Sequence, residues 1–180
     1  GAGGRGVGGI HRGRIARRTG VGRVELIATA DPGGPREGSE LPGYPTRTEL
    51  LAQHSPTSAS LATPIGTHAA RATEAMVAGA HVMLEKPPVA SLTEFWQLLR
   101  ACKENQRVVQ IGFQSLGSAG VARMRELLGD GTLGEVGSIA VRGAWVRSRA
   151  YYARSPWAGK RTVDGRRIAD GVVTNPLAHS

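Results

Sequence analysis

The chain has 180 residues, 40% of them apolar, and a formal net charge of +9. That length fits one domain, or one domain and part of a second, and the apolar share suffices for a core, which excludes wholesale disorder. No run approaches the roughly 18 uncharged apolar residues of a membrane helix, no charged-then-apolar leader opens the sequence, and a single cysteine, Cys102, excludes an internal disulfide or a cysteine metal cage.

A cytoplasmic location is the expectation that follows, and no membrane partner is expected. Arginine outnumbers lysine 20 to 3, so the basic balance permits an anionic ligand or a nucleic acid. The basic residues are scattered, however, except for Arg12, Arg14, Arg17 and Arg18, which read as the solvated face of one helix. Nucleic acid is therefore not the expected partner.

In chain order, a glycine loop at Gly1–Gly6 is followed by a short helix from Ile10 to Arg18. Val24–Ala30 reads as a mostly apolar, buried parallel strand ending at Asp31-Pro32. Pro32 to Pro45 is a loop. Thr46-x-x-Glu49 is a capping box for a helix through Gln53, and Ala59–Thr63 is a strand stopped by Pro64. The spacing of Ala69, Ala72, Met76 and Val77 predicts a helix over Gly66–Ala78, ended by Gly79. Ala80–Leu84 is the next strand. Ser91-x-x-Glu94 opens a helix through Glu104 whose buried face holds Phe95, Leu98, Leu99 and Cys102, and Arg107–Gly112 is another strand. Strands thus alternate with helices from Val24 to Gly112, which predicts a doubly wound parallel sheet. Beyond it lie a helix over Val121–Leu128 ended by Gly129 and Gly131, a longer strand over Val136–Val146, and a stretch from Arg147 to Asp170 with no clear period.

Gly1-x-Gly3-x-x-Gly6 has the spacing of a dinucleotide fingerprint, in which glycines let the backbone approach a pyrophosphate at a helix N-terminus. With 26 glycines in the chain, spacing alone is weak, and a chance hit in a glycine-rich loop is the rival. Context strengthens it. A helix and a strand follow, and then Asp31, 25 residues after Gly6, stands where a carboxylate binds ribose hydroxyls. No strand precedes Gly1, although the first strand lies mid-sheet in this fold. The sequence therefore reads as a piece lacking that strand, of marginal stability and without activity of its own. Glu85-Lys86-Pro87 ends a buried strand, at the edge where open α/β sheets bind ligands. A lysine there can hold a substrate oxygen, or it can be an ordinary residue of a surface turn.

The run Ala62-Thr63-Pro64-x-x-x-His68, followed by Ala78-Gly79-Ala80-His81-Val82-Met83-Leu84-Glu85-Lys86-Pro87, resembles the Gfo/Idh/MocA oxidoreductases. The fingerprint, Asp31 and the later Gly131-Thr132-Leu133-Gly134-Glu135-Val136 match that family in order. The resemblance implies a Rossmann domain over residues 1–113, then, over 114–180, the start of a substrate and oligomerisation domain with an open, mostly antiparallel sheet. It implies hydride transfer between a nicotinamide cofactor and a hydroxyl carbon of a sugar, cyclitol or related small molecule, in a homo-oligomer. Gly1, Gly3, Gly6, Asp31, Thr63, Pro64, His68, Glu85 and Lys86 would then hold the cofactor. Lys86 would also meet substrate, and His179 would match the family's base. Asn175 stands where the family usually has Asp, and an amide can orient a hydroxyl but carries no charge. Asp170 is a carboxylate nearby in sequence. Asp31 favours NAD, since it would repel the 2′-phosphate of NADP, while Arg36 in the following loop would suit NADP.

Two rivals stay open: a redox-neutral glycosidase that borrows the hydride, and a dinucleotide-binding regulator without turnover. His11 caps the first helix, faces phosphate or lies plainly on the surface. His54 and His81 show no ligand spacing, so no metal is expected. Cys102 is expected in the core. Arg147, Arg149, Tyr151, Tyr152 and Trp157 are expected to line a substrate pocket or an interface.

Overall fold

A computed structural model gives the structure of residues 24–34 and 38–168, with the backbone alone for Arg166. Gly1, Gly3, Gly6, the helix expected from Ile10 to Arg18, Arg36, Asp170, Asn175 and His179 lie outside the described residues.

The first described elements are β1 (Thr29–Ala30), β2 (Gly43–Tyr44) and α1 (Arg47–Gln53). β1 pairs with β2 in parallel, Ala30 opposite Tyr44. Thr46 caps α1: its Oγ1 accepts from Glu49 N at 3.2 Å and donates to Glu49 Oε1 at 2.9 Å. An ion pair between Arg47 and Glu74 links α1 to the next helix; both side chains are partly exposed, so it contributes little to stability.

The centre of the fold is a β-α-β-α-β unit: β3 (Ser58–Leu61), α2 (His68–Val77), β4 (His81–Leu84), α3 (Leu92–Asn105) and β5 (Val109–Ile111). A three-residue 3₁₀ turn, Ile65–Thr67, leads into α2. The three strands are parallel in the order β3-β4-β5, with Leu61, Leu84 and Ile111 in register across the sheet. Side chains alternate across a strand. Ala59, Leu61, Val82, Leu84, Val109 and Ile111 therefore point to one face, where Ala72, Ala75 and Met76 of α2 and Leu98 and Ala101 of α3 complete the core. On the other face Ser58, Ser60, His81 and Gln110 are exposed. Parallel strands need helical crossovers, and two of them on one face bury one side of the sheet. Gly79, with φ +89°, takes the left-handed conformation that ends α2, as expected from its position. Ser91 caps α3 by accepting from Glu94 N at 3.2 Å.

After β5 come a 3₁₀ turn (Gln114–Gly117), α4 (Ala119–Gly129), α5 (Arg149–Ala153) and the antiparallel pair β6 (Thr162–Val163) and β7 (Arg166–Arg167). Asp164 and Gly165, both at positive φ, make the two-residue turn between β6 and β7. This hairpin packs back on the turn after β3: a Cβ on Gly66 would lie 2.9 Å from the Arg167 carbonyl oxygen, and Ile65 and Ile168 are both buried.

Several expectations need correction. Of the strand expected over Val24–Ala30, only Thr29 and Ala30 pair, and with β2 rather than with the larger sheet; Val24 is exposed, because a strand is buried only where ladder neighbours cover it. Val136–Val146 forms no strand, and Ile139 and Val146 are 83% and 95% exposed. Apolar alternation there finds no partner ladder among the described residues. Of the open antiparallel sheet, only the β6–β7 hairpin is present among them. On α2, Val77 is 69% exposed while Ala75 is buried. On α3, Phe95 and Leu99 remain 37% and 44% exposed and Ala101 is buried instead, since the α2 contact rotates the buried stripe. Cys102 is half-buried against the core, where burial pushes its thiol pKa up, away from reactivity. No helix among the described residues is long and apolar enough to cross a membrane.

Candidate functional site

The carboxyl ends of β3, β4 and β5 form one edge, and the loops leaving it carry most of the described candidates. Pro64 lacks an N–H, so the chain leaves the ladder after β3 and turns through Ile65–Thr67. Thr67 Oγ1 donates to the Pro64 carbonyl at 2.8 Å and lies 2.9 Å from Thr63 Oγ1, which closes that turn. His68 opens α2 and is 1% exposed. Its Nδ1 lies 2.7 Å from the Pro87 carbonyl oxygen and its Nε2 2.8 Å from that of Thr63.

At the end of β4, Glu85 is 7% exposed. Its carboxylate accepts from Gln114 Nε2 at 3.3 Å on one oxygen and from the Lys86 amide at 3.3 Å on the other. A buried carboxylate is stable only with such donors. Lys86 follows, half-buried, and the Lys86–Pro87 peptide is cis. At the end of β5, Gly112 donates to the Leu84 carbonyl at 2.8 Å and brings its backbone against the Glu85 head group. A Cβ on Gly112 would sit 3.2 Å from Glu85 Oε1 and 3.3 Å from Gln114 Nε2. Gly112→Ala should therefore lower stability by about 1–3 kcal/mol through overpacking. Urea unfolding reads this as a lower midpoint at unchanged slope, and an unmoved midpoint would show that the carboxylate has room to shift.

Thr63, Pro64, His68, Glu85 and Lys86 thus gather along one sheet edge. Asp31 sits apart, on the β1–β2 ladder. Its backbone amide donates to the Tyr44 carbonyl at 3.0 Å, and its Oδ1 accepts from Gly33 N at 2.8 Å. Its carboxylate is exposed. The sequence reading missed Thr67, Gly112 and Gln114. The signal for the last two was present, because Gly112-Phe113-Gln114 ends a third parallel strand, as Glu85-Lys86 ends the second.

A cleft of about 550 Å³ opens beside the β3 loop, with Pro64, Gly66 and Thr67 on one wall and Trp157, Val163 and Ile168 on the other. That volume lies within the range of small-molecule sites. The basic-aromatic stretch reaches it through Trp157: the Arg154 guanidinium stacks 3.7 Å from the Tyr151 ring centroid and 5.0 Å from that of Trp157. Of Arg147, Arg149, Tyr151, Tyr152 and Trp157, only Trp157 lines this cleft. His54 pairs with the Tyr44 hydroxyl at 2.9 Å, and His81 Nδ1 accepts from Val108 N at 3.1 Å.

The model of the Gfo/Idh/MocA family, described as an oxidoreductase family with an NAD-binding Rossmann fold, matches residues 6–113. No curated protein sequence matches the chain. Among solved structures, the chain is similar to the WlbA dehydrogenase from Bordetella pertussis in complex with NADH and UDP-GlcNAcA: 25% identity, TM-score 0.81, covering 99% of this chain and 51% of that one. The WlbA structure from Chromobacterium violaceum, with the same ligands, gives 21% identity and TM-score 0.80 over 99% and 51%. The scyllo-inositol dehydrogenase from Lactobacillus casei gives 18% identity and TM-score 0.61 over 72% and 40%. The chain thus spans about half the length of the WlbA structures.

Proposed function

The chain belongs to the Gfo/Idh/MocA oxidoreductase family and has its NAD-binding Rossmann fold, and from that premise we propose that it serves an NAD-dependent dehydrogenase acting on a hydroxyl carbon of a sugar-like or cyclitol-like molecule. The observation that carries the reading is the gathering of Thr63, His68, Glu85 and Lys86 at the carboxyl edge of a parallel sheet, within the residues the family model matches.

The described residues fit the cofactor. A ribose diol needs an acceptor, and Asp31 offers an exposed carboxylate at the carboxyl end of β1. Gly1, Gly3 and Gly6 would allow the backbone to approach the pyrophosphate, and Thr63, Pro64 and Glu85 would border the cofactor at the edge where Lys86 emerges. NAD, when bound, supplies the hydride acceptor. Lys86 steadies the substrate oxygen as it becomes an alkoxide. His179 takes the hydroxyl proton, a role suited to imidazole near neutral pH, and Asn175 orients the substrate through its amide. The domain division near Phe113 and assembly into a homo-oligomer are part of the same proposal. Asn175, where the family usually has Asp, favours one second reading, a dinucleotide-binding regulator without turnover.

UDP-GlcNAcA in the WlbA structures supports an anionic sugar nucleotide as one substrate to try, and the net charge of +9 agrees with such a ligand. The test is binding, followed by turnover with inositols and with a UDP-linked sugar acid. NADH should raise the melting midpoint more than NADPH at equal concentration, by mass action. Asp31→Ser should weaken NADH binding about tenfold, about 1.4 kcal/mol, and narrow the gap to NADPH. A wild-type preference for NADPH would sink the role given to Asp31. NADH binding by the whole protein without turnover on any polyol or sugar nucleotide would favour the regulator.

A further inference from the structure

We infer that His68 is a positioning residue for Lys86: its buried ring donates a hydrogen bond from each nitrogen, to the carbonyls of Pro87 and Thr63, and so ties the loop carrying Lys86 to the loop carrying Thr63 and Pro64. The inference rests on the reading of Lys86 as the cation that meets substrate.

The geometry is specific. Both ring contacts are short, 2.7 Å from Nδ1 and 2.8 Å from Nε2, and both end on carbonyl oxygens, which only accept. A neutral imidazole donates from one nitrogen and presents a lone pair at the other. Either tautomer would therefore set a nitrogen lone pair against an oxygen lone pair at one of these two distances. Only the ring with a proton on both nitrogens satisfies both carbonyls. The α2 dipole opposes a positive charge on its first residue. Two carbonyl oxygens at charge-assisted hydrogen-bond distance offset that cost, and water does not, because the residue is 1% exposed. Of the two loops joined, the one after β3 carries no ionisable group, and the one after β4 carries one acid and one base, Glu85 and Lys86.

The consequence is a cross-brace. β3 and β4 are neighbours in the sheet, and their ladder ends with Leu61 opposite Leu84. Past that point no β-bridge holds the two chains in register. His68 joins them one residue beyond Lys86, while the Glu85 carboxylate holds the Lys86 amide from the other side. The Lys86 backbone is thus held on both flanks, and its side chain leaves from a fixed point.

The test is nitrogen NMR of the wild-type chain at neutral pH, without cofactor or substrate. A long-range proton–nitrogen spectrum should show both ring nitrogens of His68 in the protonated range and two slowly exchanging ring N–H protons. The signal is assigned by its loss in His68→Gln. In His68→Phe, which removes both donors, the Lys86 amide should exchange about tenfold faster while Val82 and Leu84 keep their protection. His68→Gln, whose side-chain amide carries two N–H groups, should recover part of that protection. A single ring N–H on His68, or a Lys86 amide as protected in His68→Phe as in the wild type, would overturn the inference. Should neither variant fold, the two-N–H signature of His68, the one fully buried histidine among the described residues, resistant to solvent exchange, decides alone. If Lys86→Met leaves turnover intact, the role of Lys86 is lost, and the ring spectrum still reports whether the brace exists.

Discussion

Lys86→Met, introduced into the whole protein, is expected on the proposed reading to lower kcat by about 10²–10³, the loss of about 2.7–4 kcal/mol typical when one preorganised donor to a developing oxyanion is removed. Methionine keeps the length and apolar stem of lysine and removes the charge. The residue stands at the carboxyl end of the central strand, with its amide bound to the Glu85 carboxylate and the next carbonyl bound to His68. The loop should therefore keep its shape, and NADH affinity should change by no more than a few-fold. A charge that acts only as substrate oxygen becomes alkoxide lowers kcat and kcat/KM together and leaves the cofactor Kd nearly unchanged. The measurement is NADH absorbance under steady-state turnover, beside a fluorescence titration of NADH. Turnover within about threefold of wild type would remove Lys86 from the chemistry. A matching loss of NADH affinity would make it a cofactor anchor instead.

Leu84→Ala carries the second large effect. Leu84 is 0% exposed, on the middle strand, between the face formed by Leu61 and Ile111 and the two helices α2 and α3. Truncating a fully buried leucine costs about 2–5 kcal/mol, from lost transfer free energy and from the cavity that rigid neighbours leave open. For a chain of this size the melting midpoint should fall by roughly 10 °C. The site should suffer as well, because Leu84 accepts from the Gly112 amide at 2.8 Å and directly precedes Glu85. Equilibrium unfolding checks the first part. A midpoint within about 2 °C of wild type would mean that the core around β4 closes over the gap.

Much of the fold was legible because local rules agree with it. The capping sequences at Thr46 and Ser91 act in sequence and were read directly. So was Gly79, because only a residue tolerant of positive φ ends a helix in that way. The strand ending in Glu85-Lys86 was read from its apolar run and the prolines after it. A strand was expected over Val136–Val146 as well and does not form, because alternation states only what a strand would bury and cannot supply a neighbour to pair with. Phe95 and Leu99 were misplaced for a related reason: the apolar share of α3 is wider than the stripe that α2 and β4 cover. The Asp164-Gly165 hairpin had a local signal, two turn residues between short extended runs, hidden by the arginines around it.

By itself the sequence determined the alternation of strand and helix, the ends of the helices and the residues with chemistry at strand ends, since each depends on neighbours within a few positions. The family resemblance also rested on such runs, and the match over residues 6–113 agrees with it. Only the tertiary structure decided that His68 bridges two carbonyls, that Gln114 and Gly112 close on Glu85, and that the β6–β7 hairpin walls a cleft against the β3 loop. Those contacts join residues 5 to about 100 positions apart. Which atoms meet across such gaps is set by the register of the sheet and the packing of its helices, which no local pattern encodes.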